Sequence, residues 1–144
     1  METHEEAHLC DRAQWYPLTF GRVMRLLSFA GAHGFSGQRI AEALEERAQL
    51  VAICACEDPR LALVDLLDAA EDGVGASVTP HASAYRRVLA RLLARLEAEF
   101  TSGEWQGSVL DPDLRWIDQL HRLDPEVLRA LAIREARSRG LVND

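Results

Sequence analysis

Apolar residues recur along this chain at helical spacing. Phe20, Val23, Met24, Leu27 and Ala30 form one stripe, and Val88, Leu89, Leu92, Leu93, Leu96 and Phe100 form a second at steps of three and four. Such steps gather apolar side chains on one side of an α-helix. No segment alternates apolar and polar residues over the length of a strand, and Val-Ile-Thr clusters bounded by turn residues are missing. The pattern predicts helices and no β-sheet.

Proline and glycine punctuate the same pattern. Asp58-Pro59, Thr79-Pro80, Asp111-Pro112 and Asp124-Pro125 each set a capping residue before a proline. The Asp or Thr oxygen accepts from an orphan N–H of the first turn, and proline at the next position loses no bond and presets φ. Gly73, Gly103 and Gly140 stand where the periodicity stops, as left-handed C-terminal caps require. Thr3 with Glu6 opens a short helix to about residue 13, Thr19 one to His33, and Ser36 one from Gly37 to Cys56. The expectation is an all-α, single-domain bundle of about seven short to medium helices over residues 1–144, with residues 1–16 attached more loosely. Asp58-Pro59-x-Leu61 with Val64-Asp65-x-Leu67 is echoed by Asp111-Pro112-x-Leu114 with Ile117-Asp118-x-Leu120. We read the echo as two helices with the same cap rather than a repeat, since the flanking segments differ.

Composition narrows the class. The chain has 144 residues, 48% hydrophobic and 27% charged, which fits one soluble globular domain. Its longest apolar run, Leu50 to Cys56, is far too short to span a membrane. The opening METHEEAHLCDR is acidic where a signal peptide is basic and then apolar. The three cysteines are an odd number in a chain that needs no staples, so a cytoplasmic, reduced protein is expected. Residues 1–79 hold 13 acids and 6 arginines, residues 80–144 hold 10 of each, and the total is −7. That field opposes nonspecific nucleic-acid binding.

Five groups of residues have a chemistry to consider. His4-Glu5-Glu6-Ala7-His8 has the HExxH spacing that places two zinc-ligating histidines on one helical face with Glu5 beside them. No third ligand follows at a matching distance and no scaffold precedes it, so His4 and His8 are expected not to be catalytic. Cys54-Ala55-Cys56 lies at the end of a predicted helix, where the dipole raises a thiol pKa, and a core role is expected. Glu42 and Glu45, then Asp65 and Asp68, form acidic pairs one turn apart on successive helices, which can converge on magnesium. Over residues 36–72 this arrangement resembles the all-α nucleotide pyrophosphohydrolases of the MazG type, although the second pair in that family usually opens with glutamate. The resemblance implies a Mg-dependent nucleotide hydrolase as an alternative. Residues 35–44, FSGQRIAEAL, resemble the opening of a helix-turn-helix and imply a DNA-binding regulator. Glu45-Glu46-Arg47 is a poor turn, however, and favours one continuous helix.

The fifth group is basic. Arg87, Arg91 and Arg95 make an i, i+4, i+8 stripe with Arg86 adjacent, able to grip phosphates, an acidic partner or the acidic first half of the same molecule. Trp105 follows in a polar loop, either as an anchor or as an exposed contact. No Ser-His-Asp order, phosphate-cradling glycine loop or paired-cysteine zinc spacing is present. The functional expectation is macromolecular binding rather than catalysis, as an assembly subunit, adaptor or inhibitor. Arg86, Arg87, Arg91, Arg95 and Trp105 are expected to face another protein or a second copy, with no cofactor, no metal and no membrane involved.

Overall fold

A computed structural model describes residues 5–6, 8–9, 19–71, 79–105, 107 and 109–141. Among these, five α-helices and one 3-10 helix occur and no strand: α1 (Phe20–Ala32), α2 (Gly37–Ala55), α3 (Pro59–Glu71), α4 (Pro80–Ser102), the 3-10 helix Trp116–Arg122, and α5 (Pro125–Ser138). The all-α expectation is met, and the count of about seven is corrected. Most of the helix expected from Thr3 lies outside the described residues, although Glu5, Glu6, His8 and Leu9 are helical.

Four of the helix starts follow the expected cap chemistry, while α5 begins at Pro125 without a side-chain cap bond from Asp124. Thr19 accepts from the Arg22 N–H, Ser36 from Arg39 and Thr79 from Ala82 at 3.2–3.4 Å. Asp58 accepts from the Arg60 N–H at 3.0 Å. Gly103 closes α4 at φ 76°, a conformation that a residue with a Cβ adopts at a cost. Asp111-Pro112 behaves differently from its predicted role. The Asp111 carboxylate accepts from the Asp113 N–H two residues on, making a turn rather than a helix cap. The Gln119 amide then folds back, donating to the Asp111 and Leu114 carbonyls and accepting from the Asp111 N–H at 2.7 Å. These bonds satisfy the turn, and only a 3-10 helix follows. The sequence echo is therefore not a structural repeat.

Helices α2, α3, α4 and α5 pack on one another in every pairing. Their core includes Leu50 and Ile53 of α2, Leu66 of α3, Val88, Leu92 and Leu96 of α4, and Leu128 and Leu131 of α5, each no more than 2% exposed. Burial of a side chain of this size contributes about 1.5–3 kcal/mol. Leu93 and Phe100, the remaining apolar positions of the α4 stripe beside buried Leu89, pack against this core from its edge. Gln49 bonds the Ala62 carbonyl at 2.8 Å and ties α2 to α3 across their turn. Helix α1 is the exception, for it packs along none of the other described helices and buries none of its residues.

Candidate functional site

Each arginine of the α4 stripe has a partner within the molecule. Arg86 donates from Nε to the Ala69 carbonyl of α3 at 2.6 Å. Arg87 reaches α2, where Nη2 lies 2.6 Å from Glu42 Oε2 and Nε faces Glu46 Oε1. Arg91 donates to Glu46 Oε2 at 2.9 Å, and Arg139, just past α5, meets the same oxygen at 2.9 Å. Arg95 pairs with Glu135 at 3.0 Å and approaches Glu99, which Arg134 also holds. Of the roles read from the sequence, gripping the acidic first half is the one these distances describe for Arg87 and Arg91. Both side chains remain 41% exposed.

The electrostatics follow from this geometry. The Arg87 bond holds the Glu42 carboxyl below its usual range against the opposing effect of burial, and Gln38 adds a bond at 3.1 Å. Burial works against the Arg87 charge but is outweighed by Glu42 and Glu46, so its pKa rises. Arg139 differs, since burial, reinforced by the like charge of Arg91, lowers its pKa despite Glu46. Sequence reasoning missed Glu46 and Arg139. The signal was present in the spacing: Glu42 and Glu46 are four apart, as are Arg87 and Arg91.

The acidic pairs separate. Glu42 turns to Arg87, while Glu45 Oε2 lies 2.9 Å from His81 Nδ1 and 3.5 Å from His8 Nε2. Asp65 and Asp68 are exposed on α3. Glu45 and Asp65 do lie near Tyr85, whose phenol is pushed up to about 12 by burial and then by these carboxylates. Even so, among the described residues no group of three or more His, Cys, Asp or Glu is arranged to hold a metal. His4 lies outside the described residues. The segment compared with a helix-turn-helix is one uninterrupted helix through Glu45-Glu46-Arg47, which removes the turn that motif needs. Cys54 and Cys56 carry free thiols, Cys54 at the edge of the core, and burial pushes Cys54 up to about 11 and raises Cys56.

Trp105 is half-buried with its ring packed against the core, and its backbone N–H donates to the Glu99 carbonyl at 3.0 Å. The ring thus anchors the loop after α4. It borders a cleft of about 450 Å³ against Val127, Ala130 and Arg134 of α5. The neighbouring cleft contains Arg91 and Arg95, and the two share Glu99, Glu104 and Arg134. The arginine edge and the tryptophan loop therefore adjoin, as their positions in the chain suggested.

A line of exposed apolar side chains lies elsewhere. On α1, Phe20 is 83% exposed, and Met24 and Leu27 about half. They follow one another at i, i+4 and i+7, and Gly31 continues the line. Phe35, 70% exposed, lies beyond the helix at φ 53°, an uncommon backbone state for a bulky residue. Its ring comes close enough to Gly31 that an added Cβ there would stand 3.8 Å from it. The apolar stripe read from the sequence thus forms a helix, but its Phe20–Met24–Leu27 side faces solvent and is extended by Phe35. No helix of the described residues is long and apolar enough to cross a membrane. No family model matches the chain, and no curated protein or solved structure matches it in comparison.

Proposed function

We propose that this protein acts by docking on another protein, as an assembly subunit, adaptor or inhibitor, and that α1 carries the contact. The supporting observation is the outward apolar line Phe20, Met24 and Leu27 on α1, a helix none of whose residues is fully buried, extended by Phe35 in the turn after it. Contiguous exposed apolar surface of this kind marks interaction sites, with aromatic residues as its strongest anchors.

Charge selects the partner. Residues 12–41 contain Arg12, Arg22, Arg25 and Arg39 and no acid, within a chain of net charge −7. Two copies meeting through α1 would bring Arg22 and Arg25 of each together with no carboxylate on either helix, which costs affinity. A second copy offering its acidic side instead would make a head-to-tail contact, and such contacts build open chains. The occupant we favour is a different protein with an apolar groove rimmed by carboxylates.

A photo-crosslinking residue at Met24, with the same residue at exposed Leu61 of α3 as control, tests this in the native host. The expected product is one protein joined from Met24 and not from Leu61. Its purified form should bind at least tenfold more weakly to Phe20→Asp/Leu27→Asp than to the parent, more weakly at high salt, and with the melting temperature of the variant unchanged. A second copy as the crosslinked species, or undiminished binding by the double variant, would overturn the proposal.

A further inference from the structure

A polar cleft of about 290 Å³ opens where α2 and α4 meet the end of α5, with Ala32 at the end of α1 and His33 just past it on its wall, while Phe20, Met24, Leu27 and Phe35 of the α1 contact do not line it. Its charged lining is Arg39, Glu42, Glu46, Arg87, Arg91 and Arg139. Four arginines against two glutamates leave a formal charge of +2. Glu46, only 6% exposed at its side chain, already serves Arg87, Arg91 and Arg139. Glu135, the next acid in reach of Arg139, is held by Arg95. Arg39 has no carboxylate partner among the described residues, and Arg139 Nη1 is buried without an acceptor. His33, also at the cleft, has Nδ1 2.8 Å from the Phe29 carbonyl.

A surplus of forked donors in a concave site, with one buried nitrogen lacking an acceptor, is the chemistry that recognises a compact dianion. We propose that this cleft binds phosphate, either as the free ion or as the monoester of a small molecule. The two buried glutamates orient the guanidinium groups of Arg87, Arg91 and Arg139, and the ligand supplies the missing negative charge. The cleft is larger than the ion alone requires, so it also accommodates an organic substituent.

The test is calorimetric titration of the full chain with inorganic phosphate and separately with phenyl phosphate, at constant ionic strength set by sodium chloride. Saturable binding of one equivalent of either probe is expected. At least tenfold loss is expected in Arg39→Gln, which breaks no ion pair, and again in Arg139→Gln. Arg122→Gln, an exposed arginine on the 3-10 helix, should bind as the parent does. Tighter binding of phenyl phosphate would identify a monoester as the source, and equal binding would identify the free ion. Absence of saturable binding to both probes, or equal affinity in the parent and Arg39→Gln, would overturn the proposal. Because Arg39→Gln leaves Glu46 and its three arginines in place, a loss there is not a loss of fold.

Discussion

Arg87 and Glu42 stand 45 positions apart and meet at 2.6 Å, and Arg91 and Glu46 repeat the same separation one turn further on. Equal separations at successive turns mean that α2 and α4 run in the same direction. On the other flank Arg95 pairs with Glu135 and Glu99 with Arg134, so the later position on α4 meets the earlier one on α5, and those two run oppositely. The charged ladders thus record that α2 and α4 run one way and α5 the other, on the outside of an apolar core.

Breaking the Arg87–Glu42 pair from one side should cost about 1–3 kcal/mol, less than a fully dry pair because the arginine is 41% exposed. Glu42 has a folded pKa below its ordinary 4.5. Its stabilising contribution is therefore complete above about that pH and is lost as pH falls through the lower, folded value. Urea unfolding of the parent and Glu42→Gln from pH 7 to pH 3 should show a difference that is constant near neutrality and shrinks in acid. A difference that grows in acid would contradict the assignment.

Leu92 is fully buried at the centre of α4. Leu92→Ala should lower stability by about 2–5 kcal/mol, through lost transfer energy and the cavity left behind. A loss under half a kcal/mol in denaturant titration would place the stripe outside the core.

Gly103 closes α4 in the left-handed region, and an added Cβ would meet nothing within 4 Å. Gly103→Ala should therefore cost about 1 kcal/mol from backbone strain alone. Gly37→Ala, at a helix start with equally open space and no positive φ, is the comparison. Equal effects of the two in thermal melts would remove the strain argument.

The Cys54 thiol, pushed up to about 11 by burial, should remain protonated and slow to react with a disulfide reagent at pH 8. In a Cys10→Ser/Cys56→Ser background the reaction should accelerate several-fold on adding denaturant. Rapid reaction in native buffer would show a thiol open to solvent.

Much of this architecture was legible in the residues themselves. Thr19, Ser36, Asp58 and Thr79 accept the capping bonds their positions implied, since a cap is a local event decided within three residues. Asp111-Pro112 carries the same signature and makes a turn, because Gln119, eight residues on, supplies the competing bonds. The arginine stripe was visible by spacing, but its partners on α2 and α5 lie some 40 positions away in the chain. Periodicity located α1 and could not say which way its apolar side faces, for that depends on whether another helix covers it.

Helix α1 is joined to the bundle through the turn His33-Gly34-Phe35-Ser36 and has no described helix packed along it. Its backbone amides should therefore exchange with deuterium through local opening, well before those of α4, which open only with the whole bundle. A contact built on such an element spends part of its free energy quieting the helix it grips. The complex would be matched to short encounters, with a partner taken up and let go many times over, more than to permanent assembly.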